Sequence, residues 1–416
     1  MRFFLLCSLV LFAAASFGQR NCGSMDYAGR NGITHLYNNN SLPAQSHRDT
    51  VTNEILTVPV VFHILYNNSS QNISTAQILS QLKVLNDDFR RMNQDASQTP
   101  AAFRPAAADC RIMFCLAQVD PRGRPSSGII RRQTSRQSFT YDDAMKFTAA
   151  GGDDAWDSRK YLNVWICNMQ GGSLGYATPP GSPADKDGVV IQFNAFGTIG
   201  NLQANFNKGR TTTHEVAHWM GLKHIWGDAT CGDDGIYDTP QQEYYHNGCP
   251  SFPQMSACSP NNNGDMYMNF MDYTHDACMN LFTHGQKVKM RGVFAVNGPR
   301  NSFLFSFACD STLATGAPLP QDTTTIINDS TTSIMVEKDW MVYPNPVLSS
   351  IYLQGINGYE LKGQSVTIFS MTGTLLHRIQ LNSSNPTVNL SFLKPGVYLI
   401  RVGEGKMIKQ RKIIKT

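Results

Sequence analysis

Apolar residues in the N-terminal two thirds of the chain predict short buried strands and an amphipathic helix. Val58 to Tyr66 and Leu162 to Cys167 are short, apolar and rich in β-branched residues, as buried strands are. Thr75 to Met92 places apolar residues three and four positions apart, which predicts a helix with one buried face. Gly188 to Phe196 predicts a further strand. Strands mixed with a helix in this way indicate an α+β domain.

The pattern changes after Cys309, which indicates a second folding unit. Residues 310–338 are rich in Thr, Ser, Asp and Pro, so we interpret them as a linker that cannot bury a core. Beyond them, short alternating segments separated by turn signals predict a small all-β sandwich over residues 339–416. Its predicted strands include Ser350 to Leu353, Val366 to Phe369, Leu375 to Leu381, Thr387 to Leu390 and Gly396 to Val402.

The first residues resemble a secretory signal peptide. Arg2 precedes an apolar run from Phe3 to Ala15, and the small residues Ser16 and Gly18 stand where a signal peptidase cuts. We therefore expect residues 1–18 to be removed and the protein to reach the outside of the cell. No stretch approaches the roughly 20 apolar residues of a transmembrane helix, so we expect no membrane span.

Charge and cysteine content narrow the class of protein. A formal net charge of +4 on 416 residues is too small to indicate nucleic acid as a partner. Apart from Cys7 and Cys22 the chain has an even set of cysteines, which in a secreted protein predicts disulfides. A second zinc site is the alternative, but no C-x-x-C spacing supports it. The set is Cys110, Cys115, Cys167, Cys231, Cys249, Cys258, Cys278 and Cys309.

The segment from His214 to His224 contains the candidate metal ligands and the candidate catalytic base. His214 and His218 are four residues apart, so on a helix both imidazoles can face one Zn²⁺. Glu215 then lies beside the metal, where a carboxylate can take a proton from the attacking water. Gly221 can reverse the chain and bring His224 back as the third ligand. Three ligands leave one position open for water and substrate, so the site is predicted to be catalytic. Histidines that merely cap a helix do not explain this combination.

This long motif resembles that of the metzincin metallopeptidases, which have a methionine turn below the metal. Met271 is the candidate for that methionine, with Met268 as the alternative. Tyr273 matches a tyrosine that can hydrogen-bond the oxyanion in similar enzymes. Within the metzincins the chain is similar to the pappalysin type over about Val58 to Cys309. That resemblance is carried by His224 to Asp228, Asp238 to Pro240, Asn269 to Tyr273, Cys278, and Phe282 with Thr283. It implies a mixed twisted sheet, an active-site helix and a methionine turn.

Arg20 to Asp26 resembles the cysteine switch of metzincin zymogens. On this hypothesis Cys22 occupies the fourth zinc position in a latent form, and Gly23 lets the backbone pass close to the metal. Cleavage between about Arg30 and Arg48 would remove the block. The alternative is that Cys22 forms a disulfide or is simply unpaired.

The pappalysin resemblance also implies bridges Cys231–Cys258 and Cys249–Cys278. Structural calcium is implied in the segment from Gly227 to Thr239, which is rich in oxygen ligands, with Asp238 and Thr239 as candidate ligands. The alternative is a solvated turn.

Family resemblance implies a polypeptide substrate. The strand with Val189, Ile191 and Phe193 would form the cleft rim and pair with extended substrate. Some pappalysin-type enzymes cleave before Arg, which requires an acidic group in the S1′ pocket, and Asp272 or Asp276 could supply it.

The C-terminal unit resembles the sorting domain of the type IX secretion system of Bacteroidetes. The resemblance is carried by Tyr343 to Pro346, Gly373, Leu393 to Tyr398 and the basic tail. It implies the secretion machinery as a partner, whereas a sandwich that binds carbohydrate is the alternative.

The sequence therefore predicts a secreted, monomeric zinc endopeptidase made as a zymogen. Its segments are a signal peptide (1–18), a pro-segment (19–50), a catalytic domain (51–309), a linker (310–338) and a sorting domain (339–416). An exported adhesin with a structural zinc, or a zinc hydrolase with a non-peptide substrate, are the alternatives.

Overall fold

A computed structural model describes residues 20–38, 55–259, 263–295, 297–306, 308–309, 314, 339–343, 347–356, 359–370, 374–384, 386–403 and 409–415. The predicted signal peptide, residues 39–48 of the proposed cleavage region and nearly all of the linker lie outside these residues.

The catalytic part is built on one sheet of six strands. The strands are β1 (Leu56–Tyr66), β2 (Ile112–Leu116), β3 (Ile129–Gln133), β4 (Leu162–Cys167), β5 (Gly175–Ala177) and β6 (Val189–Gln192). Their order is β2-β1-β4-β6-β5, and β3 pairs with the second half of β1. Only β5 runs antiparallel, which makes the sheet mixed, as predicted.

The short strand β5 forms the edge of this sheet, which corrects one prediction. Val189 and Ile191 lie in β6, which pairs with β4 on one side and with β5 on the other. Phe193 follows in a 3-10 turn. Because the backbone of β6 is already paired on both sides, this strand is not the cleft rim, and the edge strand on this side of the sheet is Gly175–Ala177.

Within the described residues, five α-helices accompany these strands. They are α1 (Ser24–Arg30), α2 (His35–Asn38), α3 (Thr75–Phe89), α4 (Arg210–Trp219) and α5 (His284–Gly292). The hydroxyl of Ser74 accepts the amide N–H of Gln77 and caps α3, whose apolar stripe packs into the main core. Thr283 and Gln286 form a capping box at the start of α5.

Buried charges hold α4 against its neighbours. Arg210, at the start of α4, lies 3.2 Å from a carboxylate oxygen of Asp88 in α3 and 3.1 Å from one of Asp95. The hydroxyl of Thr213 donates to Asp88. Every residue of α4 is buried. The helix therefore has little freedom to move, which fixes the side chains it carries.

Three disulfides join the catalytic part. Cys231–Cys258 and Cys249–Cys278 have the predicted pairing. Cys115–Cys309 ties β2 to the last residues of the catalytic part, a bridge that the sequence left unassigned. Cys110 and Cys167 are buried free thiols, so the prediction from the even number of cysteines is wrong for these two. Each contributes as a small apolar core residue.

The C-terminal part is a sandwich of two antiparallel sheets, as predicted. Trp340, Ile368 and Ile400 are fully buried in its core. Its strands are β7 (Asp339–Tyr343), β8 (Ser350–Ile356), β9 (Ser365–Ser370), β10 (Leu375–Gln380), β11 (Thr387–Asn389), β12 (Gly396–Val402) and β13 (Lys409–Lys415). One sheet has the order β10-β9-β12-β13 and the other β11-β8-β7.

Candidate metal centre and active-site cleft

Helix α4 and the turn after it bring three imidazoles together. Gly221 adopts φ +89°, and the amides of Gly221 and Leu222 donate to the carbonyls of His218 and Ala217. This Schellman ending reverses the chain and returns His224 to the helix. The Nε2 atom of His218 lies 3.1 Å from that of His214 and 3.0 Å from that of His224.

The other ring nitrogen of each histidine is held by a hydrogen bond. His214 Nδ1 lies 2.7 Å from the carbonyl oxygen of Phe270, and His218 Nδ1 lies 2.8 Å from that of Leu222. His224 Nδ1 contacts the carboxylate of Asp228. Donation from Nδ1 leaves the Nε2 lone pairs free to bind a metal. Burial and the neighbouring imidazoles lower the pKa of His218 to about 3 and that of His214 well below its usual value, so both rings are neutral, as metal ligands must be.

Cys22 supplies a fourth donor, so the residues present fit a zinc ion. Its sulfur and the three imidazoles have ligand atoms within 4.8 Å of one another, and all four residues are buried. Zinc–nitrogen bonds of about 2.0–2.1 Å in a tetrahedron place nitrogens about 3.3 Å apart, close to the spacing observed. No second group of this kind occurs among the residues that the structure describes. Burial and the Glu215 charge raise the pKa of the Cys22 thiol, whereas a cation at this centre favours the thiolate.

Glu215 faces the same centre and is covered by the N-terminal segment. Its Oε2 atom accepts a hydrogen bond from the hydroxyl of Ser24 at 2.8 Å and one from the thiol of Cys22 at 3.4 Å. Burial raises the pKa of Glu215 to about 7, against the opposing effect of these hydrogen bonds. A carboxylate with this pKa can take up and release a proton near neutral pH.

The N-terminal segment adds to the sheet edge and closes the cleft. The amide of Gly23 donates to the carbonyl of Gly175 at 2.8 Å, and the amide of Leu174 donates to the carbonyl of Asn21 at 2.9 Å. A Cβ atom at Gly23 would lie 2.1 Å from the Tyr141 ring, so a larger residue here would require the Tyr141 side chain to move. The structure therefore brings the predicted switch cysteine to the predicted zinc ligands.

Arg20 occupies a buried acidic pocket beside the metal centre. Its guanidinium lies 2.5 Å from Asp276, and both side chains are only 1% exposed. It also donates to the hydroxyl of Thr211 and to the carbonyl of Thr274. Asp272, the other candidate, is instead engaged by His246, whose Nδ1 lies 2.8 Å from its carboxylate.

The methionine turn lies below the imidazoles. Met271 is fully buried, and its amide donates to the side chain of Asn269. Met268 is also buried, at 2% exposure. The Phe270 carbonyl in this turn is the partner of His214 described above. The hydroxyl of Tyr273 donates to the Cys22 carbonyl at 3.2 Å, which places it over the metal centre.

The predicted calcium ligands lie apart from the zinc centre. The carboxylate of Asp238 accepts from the Thr283 hydroxyl and from the Gly285 amide, at the start of α5. The hydroxyl of Thr239 donates to Asp234.

Sequence reasoning missed three contributors: Arg20 as an occupant of the acidic pocket, Ser24 on Glu215, and Asp228 on His224. Asp228 follows His224 by four residues, which is a readable signal. Arg20 and Asp276 are 256 positions apart, so nothing local in the sequence connects them.

Three converging imidazoles beside a buried glutamate, on a helix and the turn after it, define a zinc metallopeptidase. Residues 148–295 match the family described as pregnancy-associated plasma protein-A, and residues 341–416 match the secretion system C-terminal sorting domain. The chain therefore belongs to the pappalysin-type metzincin metallopeptidases.

Solved structures and curated relatives agree with this family. The chain is 47% identical to mature mirolysin of Tannerella forsythia in complex with a cleaved peptide, covering 64% of this chain and 100% of that one, with a TM-score of 0.61. It is 45% identical to a promirolysin mutant from the same organism, covering 70% and 98%, with a TM-score of 0.64. An extracellular metalloprotease of Trichophyton verrucosum is 30% identical, covering 69% of this chain and 94% of the relative.

The chain is thus a secreted or cell-surface zinc metalloendopeptidase that is made as a zymogen and acts on polypeptides. Its sorting domain engages the type IX secretion machinery. Within the described residues, no helix has both the length and the apolar character to cross a bilayer.

Proposed function

We propose that His214, His218 and His224 hold the catalytic zinc ion and that Glu215 is the general base. The convergence of three Nε2 atoms beside a buried carboxylate carries this assignment. When bound, zinc polarises the scissile carbonyl and lowers the pKa of the attacking water. Glu215 Oε2, which Ser24 covers in the latent form, accepts the proton of that water and then donates it to the leaving amine.

Tyr273 is proposed to stabilise the oxyanion. In the latent form its hydroxyl donates to a backbone carbonyl over the metal centre, that of Cys22. A substrate carbonyl that replaces this group receives the same hydrogen bond, which strengthens as negative charge develops on the oxygen. Met271 is proposed as the turn methionine, because its turn carries the Phe270 carbonyl that orients His214.

Latency is proposed to rest on Cys22. Its sulfur takes the position that water and substrate need, and the backbone around it occupies the sheet edge. The substrate is proposed to pair with β5 once this segment has left, because Gly175 and Leu174 then regain free backbone groups. Cleavage between about Arg30 and Arg48 frees the cleft.

Arg is the proposed residue on the C-terminal side of the cleaved bond. Asp276 supports this preference because it already pairs with the buried guanidinium of Arg20. Asp272 is the weaker candidate, since His246 neutralises it. Arg20 therefore stands in for the substrate side chain in the S1′ pocket.

Structural calcium is proposed for the segment 227–239. Asp234 is only 4% exposed, and burial raises its pKa to about 7, so a cation nearby would relieve the cost of its charge. The predicted calcium ligands Asp238 and Thr239 lie in the same segment, with Thr239 hydrogen-bonded to Asp234.

We also propose that the enzyme is a monomer. Its proposed segments are those predicted from the sequence: the signal peptide (1–18), the pro-segment (19–50), the catalytic domain (51–309), the linker (310–338) and the sorting domain (339–416).

The assignment of Glu215 is tested by Glu215→Gln in the activated enzyme. We expect peptide hydrolysis to fall about 10²- to 10⁴-fold while the zinc content measured by atomic absorption stays at the wild-type value. Glu360→Gln, in an exposed position of the sandwich, is the matched control and should change neither quantity. A Glu215→Gln enzyme that hydrolyses peptides at the wild-type rate contradicts the assignment.

A further inference from the structure

Tyr27 of the N-terminal segment is inserted into a slot of the catalytic domain. Its side chain is 1% exposed, and its ring stacks on Tyr176 with 4.7 Å between the ring centroids. The ammonium group of Lys146 lies 4.9 Å from the ring centroid. The hydroxyl donates to Asp143 at 2.9 Å. Each part of a phenol side chain therefore has a matching partner: an aromatic face, a cation and a hydrogen-bond acceptor.

The catalytic domain maintains this slot through its own interactions. Asp143 pairs with Lys146 at 2.8 Å and with Lys186 at 3.2 Å, and it accepts the hydroxyl of Tyr176 at 3.1 Å. Lys146 is fully buried and also lies over the Trp165 ring. Although burial opposes ionisation, Lys146 and these hydrogen bonds hold the pKa of Asp143 below its usual value. The acceptor is therefore an ionised carboxylate.

The backbone at Asp143 is held in an uncommon conformation. Its φ of +61° places a non-glycine residue in the left-handed region, which costs free energy unless the surroundings impose it. The short helical turn that follows, residues 144–146, carries Lys146. This conformation puts the carboxylate and the ammonium group at the same end of the slot.

Along the N-terminal segment, the residue in the Asp276 pocket precedes Cys22 and the residue in the slot follows it. Arg20 precedes Cys22 by two residues, whereas Tyr27 follows Cys22 by five. Tyr27 lies one helical turn beyond Gly23, and its amide donates to the carbonyl of Gly23 at 2.7 Å. If the Asp276 pocket is S1′, as the proposed function holds, the Tyr27 slot faces the part of a substrate that precedes the cleaved bond.

We propose that, in the activated enzyme, this slot is a substrate subsite for a tyrosine side chain on the N-terminal side of the scissile bond. The position of this subsite relative to the cleaved bond rests on the proposed function. Phenylalanine fills the aromatic part but leaves the Asp143 carboxylate without the donor that Tyr27 supplies.

The test uses activated wild-type enzyme and peptides with Arg after the cleaved bond. Tyr, Phe, Leu and Ala are placed in turn at each of the four positions before that bond, and kcat/KM is measured. We expect Tyr to exceed Phe by about tenfold or more at one position, as for a hydrogen bond to a charged group. Equal values for Tyr and Phe at all four positions overturn the subsite. Failure to cleave any of these peptides instead contradicts the proposed function.

The Asp143→Asn variant tests whether the preference for Tyr over Phe comes from this slot. This variant should lower the ratio of kcat/KM for the Tyr peptide to kcat/KM for the Phe peptide to about one. Asp142→Asn, the adjacent and more exposed carboxylate, is the matched control and should keep the preference.

A second measurement does not depend on how the variant folds. A synthetic peptide of residues 20–38 should inhibit wild-type activated enzyme, and Tyr27→Phe in that peptide should weaken inhibition about tenfold or more. An unchanged inhibition constant overturns the role of Asp143 as the acceptor.

Discussion

Asp276→Asn tests the specificity that the buried pocket implies. In the latent form the Asp276 carboxylate is 2.5 Å from the guanidinium of Arg20, and both are almost completely buried. Removing one partner of a buried hydrogen-bonded pair costs about 2–5 kcal/mol, because the other charge stays desolvated and unpaired. At about 1.4 kcal/mol per factor of ten, kcat/KM for an Arg substrate should fall between about 30-fold and about 5,000-fold.

The assay compares a peptide that has Arg after the cleaved bond with the same peptide carrying citrulline, which keeps the shape and loses the charge. Wild-type enzyme should strongly prefer Arg, and the Asp276→Asn variant should lose most of that preference, so the double comparison isolates the charge interaction. Asp272→Asn is the matched control, since Asp272 is paired with His246. Loss of the Arg preference in Asp272→Asn, or its retention in Asp276→Asn, refutes the reasoning.

Three further predictions concern latency and stability. Cys22→Ala should give a full-length chain that cleaves Arg peptides before its N-terminal segment is removed, whereas Cys167→Ala should stay latent; equal latency in both contradicts the switch. Two carboxylates raise the pKa of His246 to about 9 against the desolvation of the ring. Because this pKa lies above the pKa of histidine in the unfolded chain, the ion pairs stabilise the fold fully below about pH 6.5, and this stabilisation is lost as the pH rises through about 9. The free energy of unfolding in urea should therefore be about 1–2 kcal/mol larger at pH 7 than at pH 10, after allowance for solvent screening. His246→Gln should abolish that difference. Replacing Cys115 and Cys309 by Ala opens a loop of 194 residues and should lower the free energy of unfolding by up to about 5 kcal/mol. The zinc content should not change. A variant with wild-type stability would contradict the stabilising role of this disulfide.

The zinc centre could be predicted from sequence because its geometry is local. His214, His218 and Glu215 are fixed by one helix, and Gly221 provides the reversal that returns His224. The sandwich strands could be predicted as well, since alternation and turn residues mark them; the strand Gly396–Val402 has the predicted bounds.

Long-range and very short features could not be predicted in this way. The edge strand Gly175–Ala177 has only three residues, too few for an alternating pattern, whereas the longer apolar strand β6 has a clear strand pattern although it is not at the edge. The pairing of Arg20 with Asp276 depends on how the folded chain brings distant segments together. Cys110 and Cys167 are packed as apolar residues, and cysteine counting does not distinguish them from bridged cysteines.

Cleavage of a diverse peptide library by the activated enzyme, with and without a metal chelator, tests the central claim most directly. The account predicts hydrolysis that the chelator abolishes and that added zinc restores, with Arg enriched directly after the cut. A folded, zinc-loaded enzyme that cleaves none of the peptides would contradict it.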